Sequence, residues 1–230
     1  IDGDAVAAEI IAEVTTEAKA LTDAGTQPKL VALMVGDSAP SRIYAGRQAK
    51  DCQAAGIAYE LLEMPDTVTQ DDVLAKVEDL NADASVSGLI LMMPFPAQVD
   101  ARAVQQTIAP AKDVEGMGPS NMGKLFYGGG VVSPCTAAAA VELLIRTCPD
   151  IAGKETVIVG HSEIVGKPIA MMLLVSPNAA PTVTVCHVAT KDLAAHTRRA
   201  EVLIVAAGVS QAKWQGYRRA VKDNPEAPLP

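Results

Sequence analysis

The chain has 230 residues, 49% of them hydrophobic but only 3% aromatic, with a formal net charge of −8 and a pI of about 4.9. That is enough aliphatic sequence for one large or two small globular domains, and it excludes a nucleic-acid footprint, because Arg198-Arg199 and Arg218-Arg219 are isolated doublets. No apolar run nears the ~20 residues of a membrane span, the acidic opening stretch has no signal-peptide pattern, and the 4 cysteines and 3 histidines lack disulfide or metal-ligand spacing, so a cytoplasmic protein without a metal is expected.

Residues 4–24 carry helical spacing and stop at Gly25. Residues 29–35 read as a strand ended by Gly36, followed by the turn and N-cap chemistry of Asp37-Ser38-Ala39-Pro40-Ser41. A helix is predicted over 42–55, a strand over 57–63, an amphipathic helix over 69–81, a buried strand over 88–93 ended by Pro94 and Pro96, and a short helix over 101–108. Strand–helix alternation implies an α/β unit with a mainly parallel sheet. Residues 110–133 read as Gly-, Pro- and Asn-rich loop, which places a domain boundary near 130 and divides the chain into 1–130 and 131–230. A linking helix over 136–146 precedes a second α/β unit, with strands at 156–159, 182–186 and 201–206, a helix over 191–199, and Gly208 closing the last strand. After Trp214 the pattern fades, and 223–230 reads as tail or loop.

The most informative stretch is Thr156–Pro168. A short β-branched run ends at Gly160, Gly166 follows six residues later, and an apolar helix-length stretch spans 164–175. Strand, glycine turn and helix aim backbone N–H groups at a phosphate. Only two glycines of a G-x-G-x-x-G fingerprint stand here, so an ordinary strand-to-helix turn remains the alternative on spacing alone.

Several segments together resemble the bifunctional methylenetetrahydrofolate dehydrogenase/cyclohydrolase family. They are Val35–Tyr44, Gly88–Pro96, Lys112-Asp113-Val114-Glu115-Gly116 with Asn121 and Gly123, Pro134-Cys135-Thr136, the 156–168 stretch, Thr184–His187 with Thr190, and Ala206-Ala207-Gly208. They run in family order across some 200 residues. The resemblance implies two α/β domains flanking a cleft, the second a Rossmann-type nucleotide-binding domain. It also implies a homodimer, and oxidation of a tetrahydrofolate-type one-carbon carrier by hydride transfer to a nicotinamide, followed by hydrolysis. By the same resemblance Tyr44, Met92, Pro94, Asp113 and Glu115 line the substrate site. Cys135, Thr136, Gly160, His161, Ser162, Ile164, Val165, Gly166, His187, Val188, Ala207 and Gly208 line the cofactor site.

The departures point one way. The family's lysine four residues past the tyrosine is Gln48, its supporting glutamine is Met92, and the second aspartate of its Lys-Asp-Val-Asp-Gly loop is Glu115. Lys50 falls on another helix face. Gln48 hydrogen-bonds but cannot transfer a proton as an amine does. Tyr44, Gln48 and Glu115 are therefore taken as the catalytic set of a dehydrogenase whose cyclohydrolase activity is weak or lost. The alternatives are a bifunctional enzyme with a lysine-free site and a silent folate- or nucleotide-binding protein. In the cofactor turn the family's arginine is His161 and a serine is Val188. An imidazole is a poor substitute for a permanently charged guanidinium, so NAD is expected over NADP. The family's further strand, Pro- and Gly-rich loop and returning helix find no match after Trp214.

Overall fold

The computed structural model describes residues 2–130, 132–175 and 180–208; the stretch read as tail beyond Trp214 lies outside them. The chain divides into two compact units, one ending at Gly123 and one beginning at Lys124.

In the first unit, helix α1 (Gly3–Asp23) precedes strand β1 (Lys29–Val35), helix α2 (Ala39–Ala54), strand β2 (Ala58–Met64), helix α3 (Gln70–Ala82), strand β3 (Gly88–Met92) and helix α4 (Ala101–Thr107). The strands form a parallel sheet in the order β2-β1-β3. Strand β1 is apolar on both faces because helices cover both. Val31, Leu33 and Val35 pack with Val73 and Val77 of α3 and Val104 of α4. Ala32 and Met34 face the other way, against Ala45 of α2, Ile90 and Met92.

The region read as loop contains a helix, α5 (Pro119–Phe126). Its start is organised by the buried carboxylate of Asp113, which accepts from Gly118 N at 2.7 Å and from Asn121 Nδ2 at 3.0 Å. Gly118 ahead of it and Gly123 within it hide this helix from pattern reading, and a carboxylate outside the helix, five residues before Gly118, supplies its first hydrogen bonds.

The second unit holds helix α6 (Cys135–Thr147), strand β4 (Glu155–Val159), helix α7 (Gly166–Leu174), strand β5 (Thr182–Cys186), helix α8 (Leu193–Arg198) and strand β6 (Val202–Val205). Its parallel sheet runs β5-β4-β6. Ala137 and Val141 of α6 share a core with Ile158 of β4 and Ile169, Ala170 and Leu173 of α7. Helix α7 starts two residues later than the sequence pattern predicts. Ser162 holds the preceding turn: its Oγ accepts from Val165 N at 3.2 Å and its carbonyl from Lys167 N at 3.0 Å.

Candidate functional site

Two groups of residues gather at the carboxyl ends of the two sheets, where open α/β sheets bind ligands.

In the first unit Ser38 caps α2, and Ser41 Oγ donates to the carbonyl of Met93 at 2.7 Å. This bond ties the start of α2 to the end of β3. Arg42 clamps the preceding turn through Asp37 at 2.6 Å and Glu63 at 2.7 Å. One turn on, Tyr44 is 57% exposed, beside the exposed Ile43, and Met93, whose carbonyl Ser41 holds, is 49% exposed. Large apolar side chains left in water at a sheet's ligand-binding edge form a surface for a flat ring. Gln48, four residues past Tyr44, lies on the same face of α2. It is half-buried, and its Oε1 is fully enclosed with no hydrogen-bond donor. An enclosed acceptor without a donor is costly. Lys50 is exposed.

Two sequence expectations need correction here. Met92 does not line the site: it is 2% exposed and packs with Met34 and Ala45 beneath α2. Asp113 offers nothing to a substrate, because it is 1% exposed and its carboxylate is occupied by Gly118, Asn121 and Met117 N. It positions the loop instead. Glu115 is half-buried. Segment 112–115 runs beside the free edge of β3: Leu89 N donates to the Lys112 carbonyl at 2.8 Å, and Leu89 bridges Asp113.

Burial pushes the Glu115 carboxyl above the ordinary glutamate range; a hydrogen bond from the Leu91 backbone opposes this, and the Asp113 charge adds to it. The native state therefore holds the Glu115 proton more tightly than the unfolded chain. Its stability contribution is full below the ordinary glutamate value and is lost as pH rises through the raised native value. Glu115→Gln is accordingly expected to melt above the parent protein near pH 8, with the gap closing towards about pH 4; thermal melts across that range check it.

In the second unit the end of β4 is tied to both neighbours: Gly160 N donates to the Cys186 carbonyl at 2.8 Å and Ala206 N to the Val159 carbonyl at 2.7 Å. Gly160 has φ +121°, and a Cβ there would stand 2.4 Å from the Ala206 carbonyl oxygen. A Cβ on Gly166 would stand 2.0 Å from the Gly160 carbonyl oxygen. Both glycines are thus required by close backbone packing of strand, turn and helix. Helix α7 has no side-chain N-cap, which leaves its N-terminal dipole for an anion. Gly208, at φ +62°, borders open space at the end of the neighbouring strand, and Ala207 is exposed beside it. An uncapped helix N-terminus and an open strand edge fit a dinucleotide pyrophosphate.

His161, Ser162, Ile164, His187 and Val188 are all exposed around this turn, and Val165 is half-buried. The His161 and His187 rings lie 4.7 Å apart, a pairing that sequence reading of each residue alone does not find. Cys135 and Thr136, at the start of α6, are exposed, and Cys186 is buried. Among the described residues no cluster of metal-ligating side chains forms, and no helix is long and apolar enough to cross a membrane.

Fold and turn together define an α/β protein whose second unit is a Rossmann-type nucleotide-binding domain. Residues 1–115 match the catalytic domain of tetrahydrofolate dehydrogenase/cyclohydrolase, and residues 134–214 match its NAD(P)-binding domain. The Bifunctional protein FolD 2 of Mesorhizobium japonicum is 44% identical over 208 residues, 90% of this chain and 67% of that protein. The crystal structure of the bifunctional enzyme FolD, methylenetetrahydrofolate dehydrogenase/cyclohydrolase, from Campylobacter jejuni superposes with a TM-score of 0.85 at 38% identity, covering 90% of this chain and 73% of that one. The Trypanosoma brucei methylenetetrahydrofolate dehydrogenase-cyclohydrolase, complexed with NADP cofactor and inhibitor, gives a TM-score of 0.83 at 33% identity, covering 91% and 71%. The chain belongs to the tetrahydrofolate dehydrogenase/cyclohydrolase family.

The comparisons lend no support to a weak or lost cyclohydrolase. These relatives are described as bifunctional, which backs the alternative of a bifunctional enzyme better. A preference for NAD over NADP is likewise unsupported by them.

Proposed function

We propose that this chain oxidises 5,10-methylenetetrahydrofolate with a nicotinamide dinucleotide and then hydrolyses the methenyl product, using a site without lysine. The observation that carries the reading is the enclosed, donorless Oε1 of Gln48 on the same face of α2 as the exposed ring of Tyr44. Tyr44 supplies a stacking surface for the pterin, and Glu115 supplies the carboxyl for its amino-pyrimidine edge.

A nicotinamide dinucleotide bound here would supply the hydride acceptor for the one-carbon bridge. The Gly160–Gly166 turn and the α7 N-terminus would hold its pyrophosphate, with Gly208 leaving room beside it. Hydride loss converts the methylene bridge into a methenyl cation. Water then adds to that carbon, one carbon–nitrogen bond breaks to give the formyl product, and a proton is released. The released proton passes to solvent, because Glu115 is engaged at the amino-pyrimidine edge, away from the reacting carbon. Because Gln48 cannot itself carry a proton, hydrolysis is the slower step.

For the cofactor, NAD is favoured over NADP. His161 and the fully exposed, apolar Val188 stand where a 2′-phosphate asks for permanent charge. The homodimer implied by the resemblance is part of this reading.

The test follows nicotinamide reduction with methylenetetrahydrofolate and NAD, beside NADP, and quantifies the methenyl form before and after acid, which returns the formyl product to it. Reduction together with an acid-recovered methenyl fraction above the uncatalysed rate is expected. Reduction with methenyl build-up and no formyl product overturns the second step. No reduction with either dinucleotide overturns the first and leaves a silent binder.

A further inference from the structure

A thiol and an amine meet at the amino end of the second sheet, away from the strand ends that carry the glycine turn. Cys148 closes α6, and Lys154 directly precedes β4. Lys154 Nζ donates to Cys148 Sγ at 3.5 Å. A lysine ammonium ordinarily pairs with a carboxylate or reaches water; this side chain is half-buried against a half-buried sulfur.

Both attachment points are fixed. Cys148 N donates to the Leu144 carbonyl at 2.7 Å, and Lys154 N to the Ile151 carbonyl at 3.1 Å. The Lys154 carbonyl accepts from Thr182 N at 2.9 Å, and Gly153 N donates to the Ala180 carbonyl at 3.0 Å, so the loop is stitched to the approach of β5. Ile151, inside the loop, is buried with Ile158 and Leu173. Pro149 restricts the backbone after the sulfur, and Gly153 turns it at φ +69°. The brace keeps the amine near the sulfur while the lysine side chain changes rotamer.

The other thiols are placed differently. Cys52 and Cys186 are buried, and burial pushes both thiols up. Cys135 is exposed, at the opposite end of α6. At 1.5 Å per residue it stands roughly 20 Å from Cys148, beyond the reach of a disulfide. The amine of Lys154 is thus the nucleophile at hand for an oxidised Cys148.

We propose that the Cys148–Lys154 pair is an oxidative modification site, where hydrogen peroxide converts the thiol to a sulfenic acid and the lysine amine closes onto it as a reversible sulfur–nitrogen bridge. Sulfenic acids condense with thiols and with nitrogen. In the first step the sulfur attacks the peroxide O–O bond, takes one oxygen and gives up its proton, and the other oxygen leaves as water. The sulfur loses an electron pair and the peroxide gains it. In the second step the amine, its extra proton passed to solvent, attacks the sulfur; the S–O bond breaks, and hydroxide leaves with an amine proton as water. An external dithiol reopens the S–N bond, restoring thiol and amine while it becomes a disulfide. The bridge ties the end of α6 to the start of β4. Those elements carry Cys135-Thr136 and the Gly160 turn at their other ends, so oxidation braces the frame of that turn without occupying it.

The test treats the full chain with hydrogen peroxide, digests it with trypsin without reductant and maps the peptides by mass. The parent protein is expected to lose cleavage after Lys154, and the peptide spanning 148–154 to lose a pair of hydrogens; dithiothreitol restores both. Lys154→Arg keeps the positive charge but not the nucleophilic amine, and is expected to stop at a sulfenic acid that dimedone traps. Cys148→Ser is expected to keep its cleavage after Lys154. Parental thermal melts of both variants before oxidation show that they fold. A parent protein still cut after Lys154 while dimedone labels Cys148 overturns the proposal. So does a hydrogen loss that persists in Lys154→Arg, which would mean a disulfide, and so does a Cys148 that peroxide leaves as a free thiol.

Discussion

Gly166→Ala is expected to lower both NAD- and NADP-linked reduction by about a hundredfold or more, because a displacement of about 1 Å at a positioning element is enough for such a loss. The new Cβ would stand 2.0 Å from the Gly160 carbonyl oxygen, 2.6 Å from its carbon and 3.0 Å from His161 Cα. All three are backbone atoms, so no side chain can swing aside. Gly160 cannot retreat, since its own position is set by the Cys186 carbonyl on one side and by Ala206 on the other. The turn must open, and the α7 N-terminus moves away from the strand ends. Reduction rates and calorimetric binding of 5′-AMP should fall together. Gly46→Ala is the matched control: its Cβ meets nothing within 4 Å on α2, and it should stabilise the protein by about 0.5–1 kcal/mol. A Gly166→Ala protein with near-parental KM for NAD would remove the nucleotide from this turn.

That turn was legible in the sequence because its constraint is local. Strand, glycine and helix follow one another, and the six-residue spacing of Gly160 and Gly166 records a contact inside the same segment. The buried strands were legible for a similar reason, since a run such as Lys29–Val35 is apolar on both faces and excludes a surface strand. What escaped depends on contacts outside an element's own pattern. The start of α5 is organised by Asp113, five residues before Gly118, which looks like any loop carboxylate until the chain turns back on it. The family resemblance likewise offered Asp113 and Met92 as lining residues, and burial assigns both to the interior. The His161–His187 pair joins residues 26 positions apart, across two parallel strands whose register no single segment encodes.

Gln48→Lys combined with Met92→Gln is expected to raise hydrolysis relative to hydride transfer by on the order of ten- to a hundredfold, within the range general acid–base catalysis contributes. The geometry requires both changes. Gln48 lies three residues past Ala45, which packs on Met92, so a lysine at 48 and a glutamine at 92 come from the two sides of one helix–sheet interface. A lysine amine partly removed from water has a lowered pKa and moves protons near neutrality, which an amide cannot do. The glutamine alone should destabilise the protein, because a buried amide without a partner costs about 1–3 kcal/mol; the lysine supplies the donor that its carbonyl needs. The double variant should therefore melt above Met92→Gln alone, which separates a folding defect from a catalytic one. Hydrolysis is read from the acid-recovered methenyl fraction and hydride transfer from nicotinamide reduction in the same samples. An unchanged ratio in a stably folded double variant would mean that proton transfer to solvent already keeps pace with the step, and the lysine-free site would then be a full substitute rather than a slower one.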